Sequence, residues 1–213
     1  MAASFLSKIF GSRTKSTPPY ITIVSGLPRS GTSMMMKLLH AGGMEVLTDN
    51  LRKADENNPR GYYEFERVKK LQDGDHEWLE QASGKAVKVI SALLEYLPST
   101  YSYKIIFMRR NMEEILSSQR RMLIRLGQPD GEVSDEQLAE MYQKHLERVS
   151  AWLAGQPHMQ VLYVHYNELI AAPLPGLEQI NRFLDGRMDI ANMLPVIDKN
   201  LYRERKPVPS PGG

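Results

Sequence analysis

The chain contains no cysteine. That excludes disulfides, thiol nucleophiles and thiolate metal sites together, and it fits a reducing compartment, so a cytoplasmic location is expected. Long apolar runs are also missing. No stretch reaches the roughly 18 residues that a membrane helix needs. The segment Phe5-Leu6-Ser7-Lys8-Ile9-Phe10 is apolar but short, and it lacks a basic lead and a clear cleavage site. It therefore does not read as a signal peptide, but as a tail that packs on the domain or frays, with a weak membrane-surface helix as the alternative. Charge of one sign is scarce as well: 27 Lys and Arg face 25 Asp and Glu, a net +2. General nucleic-acid binding is not expected, and any anion site must come from a local cluster. The five histidines, His40, His76, His145, His158 and His165, show no metal-ligand spacing, so no metal is expected.

What is present fills one domain. The 213 residues, 42% of them hydrophobic, suffice for one α/β unit with a sizeable core. Residues 1–19 read as an N-terminal tail and a Gly/Ser/Thr/Pro linker, 20–206 as a single α/β domain, and 207–213 as a loose tail. Strands are predicted at 20–25, 86–90, 103–108 and 161–164. Helices are predicted from Thr32 to Ala41, from Met112 to about Leu126, from the Ser134-Asp135-Glu136-Gln137 capping box to Leu153, and over 177–184. A short helical turn is expected at 93–97. The long helix places Leu138, Met141, His145, Val149 and Trp152 on one face. Strands alternating with helices predict three layers, a central parallel sheet flanked by helices.

The most informative stretch is Ile21-Thr-Ile-Val-Ser-Gly-Leu-Pro-Arg-Ser-Gly-Thr-Ser33. A β-branched strand runs into a Gly-flanked loop and then into a helix with hydroxyls in its first turn. Loop N–H groups and the helix N-terminus converge on one spot and favour an anion. Gly26 and Gly31 have the Gly-x4-Gly spacing of a phosphate-binding loop. A nucleoside triphosphatase then needs Lys, but this chain has Thr32, and the cation lies earlier, at Arg29. A second basic strand end, Arg109-Arg110-Asn111, is followed by Ser118, two helical turns on. Two anion sites at strand C-terminal ends suit one ligand with two phosphate-like ends.

In these motifs the chain resembles the sulfotransferases that use 3′-phosphoadenosine 5′-phosphosulfate. Pro28-Arg29-Ser30-Gly31-Thr32-Ser33 is similar to the family's 5′-phosphosulfate loop, in the Arg form of the tyrosylprotein sulfotransferases. Arg110-Asn111 with Ser118 resembles the 3′-phosphate site, with Met112 in place of a Pro. Tyr166-Asn167-Glu168-Leu169, Pro173 and Phe183-Leu184 resemble a third segment. The resemblance implies a P-loop-like fold and a sulfuryl donor held by Arg29, Ser30, Gly31, Thr32 and Ser33 at its 5′ end. Arg110 and Ser118 would hold its 3′ phosphate, and Arg203, in the late basic segment, would lie over the donor or belong to a solvated tail. Arg29 would also stabilise charge on the bridging oxygen.

The proton acceptor departs from the cytosolic branch of the family. That branch carries a His two residues after a Lys; here Lys88 is followed by Val89 and Ile90. The tyrosylprotein branch takes a Glu after the first helix, and that region offers Glu45, Asp49, Glu56, Glu64 and Glu66. Glu64 is favoured, since the Asn57–Gly61 turn delivers it beside Tyr62 and Tyr63; Glu66 and Asp49 come next. The alternative for Glu64 is a surface pair with Arg60 or Arg67. Lys88 is expected to assist at the transferring group. Arg120, Arg121 and Arg125 are expected to face water, and the twelve methionines to fill the core. On this resemblance the acceptor would be a hydroxyl- or amine-bearing small molecule, sugar, lipid or peptide, and the side chains do not specify which. A P-loop kinase or hydrolase, and a non-catalytic nucleotide-binding module, are the competing readings.

Overall fold

The segment Tyr20–Gly26 is β-branched at its centre and buried at every position, as a strand covered on both faces must be. This β1 is described, with residues 20–49, 51, 61–125, 127 and 133–197, by a computed structural model. The tails expected at 1–19 and 207–213, and Arg203, lie outside the described residues.

β1 pairs in parallel with β2 (Ala86–Lys88) on one side and with β3 (Ser102–Arg109) on the other. β4 (Met159–His165) pairs in parallel with β3, giving the order β2-β1-β3-β4. Period-two alternation divides the core. Ile21, Ile23, Tyr103, Ile105 and Phe107 face one layer; Tyr20, Val24, Ile106 and Met108 face the other. The first face is covered by 3₁₀ segments at Glu66–Asp73, Glu77–Leu79 and Ser91–Tyr96, together with α2 (Met112–Arg125) and α3 (Asp135–Ala154). α1 (Thr32–Ala41), α4 (Tyr166–Ala171), α5 (Pro173–Phe183) and α6 (Ile190–Met193) cover the second. The result is the predicted three-layer α/β architecture. No described helix is long and apolar enough to cross a membrane.

Several boundaries differ from expectation for physical reasons. β2 stops at Lys88 rather than at residue 90, because the chain turns into a 3₁₀ segment and leaves Ile90 46% exposed. α5 begins at Pro173 instead of Leu177: proline at the first helical turn gives up an N–H that would be unpaired anyway. α3 opens on its capping box, with Ser134 Oγ accepting from Gln137 N–H and Ser134 N–H donating to Gln137 Oε1. Its buried face is Leu146, Val149 and Leu153, and Met141, expected on that face, is 60% exposed. Full burial starts only at Leu146; earlier in the helix Tyr142 packs partly against the core while Met141 points off it.

The topology places the site. The connection from β1 leads to β2 on one side, and that from β3 leads to β4 on the other. The C-terminal ends of β1 and β3 therefore flank the switch point, where open α/β sheets form a crevice.

Candidate active site

The loop after β1 is built around one tight turn. Ser30 N–H donates to Leu27 C=O at 3.2 Å, with Pro28 and Arg29 between them. Proline presets the second position of a type II turn, and the third position needs φ > 0. Arg29 supplies it at φ 68° without being glycine, so the loop holds backbone strain at this residue. Gly31, at φ 101°, is the N-cap of α1; with no side chain it leaves the helix's first N–H groups uncapped. The loop is also closely packed. A Cβ at Gly31 would lie 2.5 Å from the Tyr166 ring, and one at Gly26 would lie 2.6 Å from Ser30 Oγ. Ser30 is 1% exposed, and its hydroxyl has no hydrogen-bond partner among the described residues. Thr32 and Ser33 follow in the first turn of α1.

A cationic cluster lies beside this loop. Arg29 Nε donates to Ser118 Oγ at 2.9 Å, and Arg110 donates from its terminal nitrogen to the Arg29 C=O at 3.0 Å. Arg29 thus bridges the two residues that the sequence suggested as partners. Ser118 stands one helical turn beyond Glu114 on the same face of α2, and both are buried. Glu114 Oε2 accepts from Arg110 Nε at 2.9 Å. The Arg110 guanidinium lies 4.5 Å from the Tyr166 ring centroid. Burial pushes the Tyr166 phenol up, with Arg110 opposing the shift. Asn167 Nδ2 donates to Glu114 Oε1 at 2.9 Å, and Asn167 Oδ1 accepts from Asn111 N–H at 3.3 Å.

The carboxylate corner is assembled at the end of β2. Lys88 Nζ donates to the Tyr62 C=O and reaches Glu64 Oε1 at 3.4 Å. Their side chains are 10% and 23% exposed. The Tyr62 carbonyl also accepts from Ser33 Oγ at 3.4 Å, which ties this corner to the first turn of α1. Thr48 Oγ1 donates to Glu64 C=O at 2.8 Å, and Tyr63 sits at φ 52°. The surface pairing considered for Glu64 is replaced by Lys88: Arg67 pairs with Asp75 and Glu77 instead, and Arg60 lies outside the described residues. The competing carboxylates have local duties. Asp49 accepts from the N–H groups of Glu66, at 2.6 Å, and Leu51; Glu66 pairs with Lys69, and Glu45 with Lys85. Glu56 lies outside the described residues. Arg120 is half exposed and pairs with Asp135, while Arg121 and Arg125 are exposed.

Glu114, Tyr166 and Asn167 were not picked out as site residues from the sequence. Two signals existed: the four-residue step from Arg110 to Glu114, and the Tyr166-Asn167 pair directly after a strand.

Residues 62–189, more than half the chain, match the Sulfotransferase family. No curated protein matches by sequence search. Among solved structures, mouse sulfotransferase SULT7A1 complexed with PAP aligns with a TM-score of 0.52 and 18% identity, over 84% of this chain and 63% of that one. This chain therefore spans less than two thirds of the mouse enzyme's length. The sulfotransferase domain from the curacin biosynthetic pathway gives a TM-score of 0.49 and 16% identity, over 86% of this chain and 79% of that one. Retinol dehydratase in complex with androsterone and inactive cofactor PAP gives 0.48 and 16%, over 83% and 62%. The likeness to the mouse enzyme is one of fold. The family match and the parallel sheet with its carboxyl-edge loop agree: the chain belongs to the sulfotransferase family.

Proposed function

We propose that the protein moves a sulfuryl group from 3′-phosphoadenosine 5′-phosphosulfate to a hydroxyl or amine acceptor. One observation carries the reading: Arg29, Arg110 and Ser118 converge where the ends of β1 and β3 flank the switch point. The buried, unpaired Ser30 hydroxyl and the uncapped start of α1 make the adjoining loop a fitting seat for a 5′ phosphate. The donor supplies an activated S–O bond.

The chain supplies position and charge. Loop amides, Ser30, Thr32 and Ser33 hold the 5′ end; Arg110 and Ser118 hold the 3′ phosphate. Arg29 stabilises the negative charge that builds on the bridging oxygen. Lys88 steadies the sulfuryl oxygens, and Glu64, 3.4 Å from Lys88, takes the acceptor proton. The acceptor oxygen or nitrogen bonds to sulfur as the sulfur–bridging-oxygen bond breaks. The products are a sulfate ester or sulfamate, 3′-phosphoadenosine 5′-phosphate (PAP) and a protonated Glu64.

Magnesium-free calorimetry tests the donor. PAP should bind about tenfold to a hundredfold tighter than AMP, the effect of one charge-assisted phosphate contact. Equal affinities would remove the 3′ site. Incubation of a cell extract with protein and isotopically labelled donor, read by mass spectrometry, tests transfer and identifies the acceptor.

A further inference from the structure

Glu114 is a carboxylate with 5% of its side chain exposed, on the first turn of α2. It closes a ring of contacts. Oε2 takes Arg110 Nε, Oε1 takes Asn167 Nδ2, and Asn167 Oδ1 takes the N–H of Asn111, the neighbour of Arg110. The ring joins the end of β3, the first turn of α2 and the first turn of α4. It fixes the Nε edge of Arg110, and the Tyr166 ring fixes the plane. The terminal edge of the guanidinium meets the loop at the Arg29 carbonyl.

We infer that Glu114, with Asn167, is a positioning residue that makes the donor site selective for a 3′-phosphorylated nucleotide by presenting the terminal edge of Arg110. The inference rests on the donor reading above. Two effects of the carboxylate oppose each other. Its hydrogen bonds aim Arg110, while its negative charge partly offsets the charge that attracts a phosphate. A fork-shaped donor set gains from a fixed geometry, because bidentate recognition needs its plane and direction held. Glu114→Gln sets the two effects against each other, and the sign of the change shows which dominates. The amide has one acceptor where the ring needs two, since Asn167 already spends its oxygen on Asn111. Aim is lost and the opposing charge goes with it. Loss of aim lowers PAP affinity; loss of the charge raises it.

The experiment is calorimetry of PAP and AMP on the full chain, for wild type, Glu114→Gln, Arg110→Met and the double variant. Wild type must first prefer PAP; if it does not, the donor reading falls and this inference with it. Given that preference, Glu114→Gln should weaken PAP about tenfold, on the scale of a charge-assisted hydrogen bond, and leave AMP within about twofold. In the Arg110→Met background the same change should leave the PAP-to-AMP ratio unaltered. A parallel loss of both nucleotides would show a purely structural role and overturn the inference. So would a ratio that rises, because charge and not aim would then dominate. If Glu114→Gln does not fold, Asn167→Ala breaks the ring at a half-buried residue and should lower the ratio by about threefold; an unchanged ratio overturns the inference there too.

Discussion

Two buried cations, Lys104 and Arg110, are held alike and serve opposite ends of the sheet. Each lies 4.5 Å from the centroid of a tyrosine ring, Tyr20 for Lys104 and Tyr166 for Arg110. Each has a carboxylate partner, Asp185 at 2.6 Å and Glu114 at 2.9 Å. The difference lies in where the other donors go. Lys104 also donates to Phe183 C=O at 2.8 Å, and Asp185 accepts from the Tyr20 hydroxyl at 2.8 Å, so that cluster closes β1, β3 and the chain after α5 upon one another. Arg110 instead donates into the loop that ends β1. A paired cation over a ring is therefore not by itself the mark of a site. Its place at the carboxyl edge, against a loop whose buried Ser30 hydroxyl has no partner among the described residues, is what separates the two.

The sharpest way to test that contrast is to disable chemistry at the carboxyl edge alone. Glu64→Gln keeps shape and removes the proposed base, so turnover should fall about 10²–10⁴-fold while PAP binding persists. Near-normal turnover there, with loss in Glu66→Gln or Asp49→Asn, would move the base to another carboxylate. Arg29→Ala should lower kcat about 10²–10³-fold and weaken PAP less, because charge on the leaving oxygen develops in the transition state. An intact kcat with a raised KM for the donor would make Arg29 a binding residue only.

The other end of the sheet should answer in stability instead. Asp185→Ala removes the partner of a nearly buried ammonium and should cost about 1–2 kcal/mol, kept small because the Asp185 side chain is 52% exposed. Denaturant unfolding measures it, and the PAP-to-AMP ratio should not move. A shifted ratio would break the division between the two ends. Acid gives a related readout. The Lys104 ammonium, then the Tyr20 hydroxyl, hold the Asp185 carboxyl below the usual carboxylate range. A depressed folded pKa contributes stability that is complete above the unfolded value of about 3.9 and is lost as pH falls through the folded one. The Tm gap between wild type and Asp185→Asn should therefore close below about pH 4; a constant gap would exclude the linkage. The smallest effect belongs to neither end: Ser134→Ala removes the α3 cap and should cost about 1 kcal/mol, read from denaturant unfolding.

The architecture was legible because its signals are local. The β-branched run at 20–25, the hydroxyl-rich start of α1 and the Ser134 capping box each carry their reason in a few consecutive residues. The loop Pro28–Ser33 was legible in the same way. Contacts across the chain were not. Nothing local says that Arg29 reaches Ser118, that Lys88 turns to Glu64, or that Asn167 steadies Glu114. These pairings depend on strand order, which brings the ends of β2, β1, β3 and β4 side by side. Met141 shows the limit of periodicity: the spacing is helical, but whether a face is covered depends on where the core ends.

The bond between Arg29 and Ser118 spans 89 positions of sequence, and that between Arg110 and the Arg29 carbonyl spans 81. An unfolded chain thus has no binding site at all, only scattered donors. The proposed nucleotide, seated across those residues, would recognise the native state alone and act as a folding ligand. At a concentration one hundred times its Kd it adds about 2.7 kcal/mol by mass action. The parallel sheet is built wholly from such distant pairings, a topology that folds slowly. On the proposed donor reading, supply of the nucleotide would govern how long the protein survives heat, as well as whether it turns over.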